Sequence, residues 1–279
     1  MCMGTKRGFF VLGISTLVLL SAFLLFVQFG WPGNANDCIS TVPNSCFCEA
    51  YDLNDVVTHA PGVRQPVNTW SNLYALITSF IVAFVVYRDR KSLGLNPSPN
   101  YMVSMSYVPD LYIFAVLFLG LGSMWFHASL TQWGGIVDGA SMYVFAAFLI
   151  FYSIRRINTS ASIFWVGYVL TVLLFTYLHT VLPAVVNILI LVAVYLIVEI
   201  YIWIRSGKIL QGTPKTVTLW LLAIAAILAA SIFWWASQTG NFLCDPNSIF
   251  QPHGILWHPL AGIMAVLLYF YWREAMDPV

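Results

Sequence analysis

The chain has 279 residues, of which 60% are hydrophobic and only 8% charged. A soluble domain carries about 25% charged residues, so this composition excludes an ordinary water-soluble globule and makes lipid the solvent for most of the chain. A net charge of +1 offers no attraction for nucleic acid, and an aromatic share of 16% suits the interfacial belts of a membrane protein.

The first apolar run, Phe9–Phe29, follows Lys6 and Arg7. It is long enough to cross a bilayer, which takes about 20 residues, and no clear small-x-small cleavage site follows it. Residues 1–30 are therefore expected to form an N-terminal transmembrane helix or signal anchor that is not cleaved. Residues 31–66 are polar and rich in Pro, Asn and Cys, and read as an external loop. Within residues 67–279 come Val67–Tyr87, Val108–Leu130, Ile136–Ile154, Ile163–His179, Pro183–Ile204, Val217–Ser237 and Ile255–Trp272. The expected fold class is an all-α membrane protein, a seven-transmembrane-helix bundle with an additional N-terminal transmembrane helix.

The basic residues orient it. With Lys6 and Arg7 in the cytoplasm, eight spans put Arg88, Arg90, Lys91, Arg155, Arg156, Arg205, Lys208, Lys215 and Arg273 on that side too, and only Arg64 of the 12 Lys and Arg lies outside. Both termini are then cytoplasmic. All five histidines (His59, His127, His179, His253 and His258) fall at the outer face. The Asn158-Thr159-Ser160 sequon falls on the inner side, away from glycosylation. Cys38, Cys46, Cys48 and Cys244 are outer, where oxidation is permitted; four cysteines allow three pairings, and spacing does not choose among them. Cys46-x-Cys48 is a weak metal signal.

Polar chemistry concentrates in Gly120–Asp138, at the junction of two apolar runs. Ser123 and His127 are four apart and share a helix face, and Asp138 opens the next run. Such groups are costly to desolvate without partners. A second cluster, Phe250–His258, carries His253 and His258 into the last run ahead of Pro259, a residue tolerated only near a helix start. Three imidazoles at one membrane depth suit zinc and leave a fourth position for water, whose pKa zinc lowers to about 7. Asp138 then suits the base that takes a proton from water, and Ser123 a donor to the developing oxyanion. That is the chemistry of amide or ester hydrolysis.

The pattern G-L-G-Ser123-x-x-Phe126-His127, Asp138, and the terminal His253-G-I-L-W-His258 resembles the alkaline ceramidase family of seven-helix membrane zinc hydrolases. Cys48-Glu49 and Gln65-Pro66-Val67-Asn68-Thr69-Trp70-Ser71-Asn72-Leu73 resemble its N-terminal signature. The resemblance covers about Cys46 to Trp272 and leaves the first helix as an addition. It implies a zinc amidase that hydrolyses ceramide to a sphingoid base and a fatty acid. It implies His127, His253 and His258 as zinc ligands, Asp138 as the catalytic base, Ser123 as oxyanion donor or orienter of the base, and a Cys48–Cys244 disulfide. Its partners would be a ceramide-like lipid and the bilayer. The chain departs from the family in two ways. The family spaces its last two histidines by four; here the spacing is five, an offset of about 140° on a regular helix that needs a bulge or an unwound start. For calcium, Glu49 matches the family, but Cys46, Tyr51 and Gln65 stand at other ligand positions and leave too few oxygens for a Ca²⁺ site. Asp52 and Asp55 read as a solvated acidic loop.

Other polar residues have plainer readings. Asn68, Ser71 and Asn72 read as helix-start and inter-helix hydrogen bonds. His179 reads as a solitary structural histidine at a helix end, Glu199 as a structural partner of Arg205, and Trp234 and Trp235 as belt residues or the lining of a lipid entrance. Three other functions compete: hydrolysis of a different lipid, a non-catalytic seven-helix receptor with structural zinc, and a transporter. The scarcity of ionisable residues in mid-span argues against the last.

Overall fold

The structure, a computed structural model, describes residues 2–38, 47–93, 98, 100–157, 160–205 and 214–275. Cys46, Asn158, Thr159 and Lys208 lie outside the described residues. The helices are α1 (Cys2–Phe29), α2 (Leu53–Val57), α3 (Pro66–Ser71), α4 (Tyr74–Leu93), α5 (Val108–Ser129), α6 (Gln132–Ile157), α7 (Ala161–Leu178), α8 (Ala184–Arg205), α9 (Pro214–Ala236) and α10 (His258–Glu274), with a π-helical turn at His253–Trp257. Among the described residues eight helical spans are long and apolar enough to cross a membrane, α3 and α4 forming one of them. The chain is an all-α, multi-pass membrane protein.

Large side chains exposed on α7, α8 and α9, such as Leu170, Leu189 and Leu228, face outward where lipid would cover them. The interior is built on α5 and α6. Gly120 lets α5 approach α4 closely, because a Cβ there would stand 2.4 Å from that of Ala75. Tyr112 of α5 donates to Ala265 O of α10 at 2.6 Å, tying the middle of the bundle to the last helix.

Helix α1 packs on α4 and α5. Its Phe23 is fully buried against Trp31, with ring centroids 5.5 Å apart. Arg7 donates to Asp110 Oδ2 at 2.6 Å, and Arg90 forks onto both Asp110 oxygens at 2.7 and 2.8 Å. Asp110 lies in the first turn of α5, where the helix dipole favours an acid, and the bidentate Arg90 makes the burial affordable.

A second ionic cluster corrects one expectation. Glu199 is fully buried and pairs with Arg156 at 3.2 Å, not with Arg205. Ser153 and Tyr271 also donate to its carboxylate, at 2.5 and 3.1 Å. A carboxylate this far from water needs partners on every oxygen, and Ser153 and Arg156 of α6 with Tyr271 and Trp272 of α10 supply them.

Candidate metal centre

The two histidine clusters meet at one end of the bundle. Helix α5 delivers His127 in its last turn and stops at Leu130, whose left-handed φ of 52° closes the corner. Helix α6 starts two residues later, so Asp138 falls in its second turn. The loop after α1 braces this corner through Asn36 N–H to Leu130 O at 2.9 Å and Gln132 N–H to Asn34 O at 3.0 Å.

The bulge that the five-residue histidine spacing requires is the π-helical turn, in which His258 N–H donates to His253 O. Pro259 explains it: the residue has no N–H for Ile255 O, and its ring would strike that carbonyl in an α-helix. The wider turn brings His253 and His258 onto one face, with ring centroids 4.8 Å apart. Gly254 lets the turn press on α3, where a Cβ would stand 3.0 Å from both Asn68 Oδ1 and Ser71 Oγ.

His127, His253 and His258 are all buried, and each offers a ligand atom within 4.8 Å of the others. His127 Nε2 and His253 Nε2 are 3.1 Å apart. Two nitrogens at about 2.0–2.1 Å from one tetrahedral ion would be separated by a little over 3 Å, so the spacing fits a shared metal. The hydrogen bonds behind the rings agree. His127 Nδ1 donates to Gln65 Oε1 at 2.8 Å, and His258 Nδ1 donates to Ser71 Oγ at 2.7 Å. Ser71 can accept because its own hydroxyl donates to Asn68 O at 3.0 Å. Both bonds fix the tautomer that leaves the Nε2 lone pair facing inward. His258 Nε2 is buried without a hydrogen-bond partner, as a metal-binding nitrogen would be. His253 Nδ1 has no partner either, so the third ring lacks the outer support of the other two.

Gln65 and Ser71 carry signals that the sequence reading assigned elsewhere. Both frame α3; from sequence Ser71 reads as helix-start bonding, and Gln65 as an occupant of a calcium-ligand position of the family. The helix is itself capped by Glu49. One carboxylate oxygen accepts from Val67 N–H at 2.7 Å and the other from Asn68 N–H at 2.8 Å, while Gln65 Nε2 donates to Glu49 O at 3.0 Å. Both Glu49 oxygens thus cap a helix. Burial pushes its pKa up, and the two backbone N–H bonds oppose that rise. Asp52 caps α2, accepting from Asn54 N–H at 2.8 Å, and Asp55 lies 3.7 Å from Arg64. The neighbouring Cys48 is bonded to Cys244, with Cα atoms 5.4 Å apart, and Phe47 lays its ring over His253 at 4.2 Å and His127 at 4.9 Å. Cys38 is also disulfide-bonded.

A cavity of about 830 Å³ opens beside the cluster. Ser123, Asp138, His179, His253, Trp234 and Trp257 are among its walls. Ser123 and Asp138 share the same wall of the cavity. Across the bundle, α8 and α9 touch at their far ends, where Trp203 and Trp220 stack edge-on at 4.6 Å and Trp220 Nε1 donates to Tyr195 Oη at 3.3 Å. At the cavity end Ile188 and Leu189 of α8 and Trp235 of α9 line an apolar gap. His179 is not solitary: its Nδ1 lies 2.9 Å from Tyr143 Oη.

A buried trio of imidazoles beside a carboxylate, in a membrane bundle, is the pattern of the resemblance, and a family model described as Ceramidase matches residues 47–277. The chain belongs to the ceramidase family. No curated protein matches it. As a ceramidase it is a hydrolase of the ceramide amide bond, and its substrate is a membrane lipid. The family match begins at Phe47, so α1 lies outside it.

Proposed function

We propose that this ceramidase is a zinc-dependent amidase whose metal is held by His127, His253 and His258. The observation that carries the reading is the set of inward-facing ring nitrogens, two of them fixed by Gln65 and Ser71. Three neutral imidazoles with room for a fourth ligand suit zinc better than a hard cation, which prefers oxygen. When bound, zinc would supply Lewis-acid polarisation of the amide carbonyl and acidify water.

The chain's own residues do the rest. Asp138 accepts a proton from the attacking water and returns it to the amide nitrogen as the C–N bond breaks and the C–O bond forms. The products are a fatty acid and a sphingoid base. Ser123, which shares the cavity wall with Asp138, serves as the donor that holds its carboxylate toward the substrate. The apolar gap lined by Ile188, Leu189 and Trp235 accommodates the two chains, so the amide can approach the histidines from the lipid phase.

The basic residues of the opposite end support an extracytoplasmic site, as does a disulfide beside the histidines. The ionic tie of Arg7 to Asp110 supports retention of α1 as part of the bundle.

Turnover of labelled ceramide by purified protein, with and without a chelator, tests the proposal. Chelation and His127→Ala are each expected to abolish hydrolysis. Activity that survives both overturns it.

A further inference from the structure

His179 takes no part in the reaction proposed above, yet it shares the cavity wall with Asp138. It closes α7, and its ring lies on Gly139, the residue next to Asp138. A Cβ on Gly139 would stand 2.5 Å from His179 Nδ1, so only a glycine lets the imidazole come this close to α6.

The ring is held by a relay. Asn187 of α8 is fully buried, and its Nδ2 donates to Tyr143 Oη at 3.2 Å. That bond occupies a lone pair of the phenol and leaves its hydrogen for His179 Nδ1, 2.9 Å away. With Nδ1 accepting, the single ring proton sits on Nε2. Nε2 has no hydrogen-bond partner among the described residues. An oriented N–H donor therefore stands at the wall of a lipid-sized cavity.

Its place along the cavity selects the acceptor. His179 and Thr180 follow the end of α7, Gln132 opens α6 and Gln238 follows α9, so the polar lining forms a rim at the helix ends, while Ile188 and Leu189, within α8, line the apolar gap. The alkyl chains belong in the gap and the headgroup at the rim. In ceramide the carbon bearing the amide nitrogen also bears the carbon with the primary hydroxyl. With the amide held beside Asp138, that hydroxyl is within reach of the ring packed on Gly139.

We infer that His179, oriented by Tyr143 and Asn187, is a specificity-determining residue that donates a hydrogen bond to the primary hydroxyl of the ceramide headgroup. The inference rests on the amidase reading, which puts the amide beside Asp138. A site built to bond a hydroxyl rejects the analogue that lacks it, because its donor is then left unpaired.

The test compares kcat/KM for ceramide and 1-deoxyceramide, which lacks only that hydroxyl, with 3-deoxyceramide as control. The wild-type protein is expected to favour ceramide over 1-deoxyceramide by about five- to tenfold, mostly through KM, as one net hydrogen bond allows. His179→Leu is expected to turn over the two at comparable kcat/KM, while its response to 3-deoxyceramide stays that of wild type. Tyr143→Phe, which removes the orienting hydroxyl, is expected to weaken the preference, and provides a second variant should His179→Leu fail to fold. Binding of sphingosine and 1-deoxysphingosine to chelator-treated protein reads the same preference without turnover. A wild-type protein that does not distinguish the pair, or a folded His179→Leu that still does, overturns the inference. Turnover that persists in chelator overturns the zinc reading instead, and the selectivity ratio separates the two failures.

Discussion

Ser71 and His258, 187 positions apart in the chain, share a 2.7 Å hydrogen bond that decides which nitrogen of the imidazole faces the cluster. The serine hydroxyl spends its hydrogen on Asn68 O, so it can only accept from Nδ1. Removing an outer partner of a metal-binding histidine typically weakens metal binding by about 10–100-fold. Ser71→Ala is expected to lose zinc affinity on that scale, measured by competition with chelators of graded strength. Ser71→Thr, which keeps the hydroxyl, should stay near wild type, and an alanine variant with undiminished affinity would refute the role.

The strap from Phe47 to Ala50 is fastened at both ends. Cys48 is joined to Cys244, 196 positions away, and Ala50 N–H donates to Pro246 O at 3.0 Å. Cross-linking so long a loop restricts the unfolded chain and typically stabilises by about 2–4 kcal/mol. Reduction, or replacement of both cysteines by serine, is expected to lower the melting temperature in detergent. It should also weaken zinc retention, because Phe47 would no longer be held over His127 and His253. Unchanged melting on reduction would count against the strap.

Glu49 gives the strap a pH signature. Burial raises its pKa above the ordinary value of 4.5, so the folded protein holds the proton more tightly than the unfolded chain. The stability linked to that proton is fully present below the ordinary value and is lost as pH rises through the higher folded value. Glu49→Gln does not titrate. The melting temperature of wild type minus that of Glu49→Gln should therefore be more positive near pH 5 than near pH 7.5. A difference that is flat, or grows with pH, contradicts the assignment.

At the opposite end of the bundle, Arg156→Met would strand the Glu199 carboxylate among Ser153, Tyr271 and Trp272. Breaking a buried pair in this way costs about 3–5 kcal/mol. The double variant Arg156→Met with Glu199→Gln removes the charge and is expected to recover most of the loss, read by thermal unfolding in the same detergent. A single variant as stable as wild type would mean that the pair carries no such role.

How much of this was legible in the residues follows from their physics. Bilayer thickness sets a length that apolar runs must meet, so the eight spans stand out in the sequence. His127, Ser123 and Asp138 stand out as polar groups where lipid penalises them. The five-residue step from His253 to His258, with Pro259 behind it, demanded a helical irregularity, and a π-helical turn fills that need. Partners that depend on tertiary approach were not legible. Ser71 looked like a helix-end serine because nothing in α3 announces a histidine from the far end of the chain. Glu199 was matched to Arg205 along its own helix, whereas Arg156 reaches it from α6. His179 looked solitary because Tyr143 and Asn187 belong to two other helices.

The most direct test of the central claim is the metal content of protein purified without added metal, measured alongside its turnover of ceramide. The account predicts about one zinc per chain, loss of hydrolysis when the zinc is stripped, and recovery when zinc is returned. Metal-free protein that hydrolyses ceramide at the full rate would contradict it.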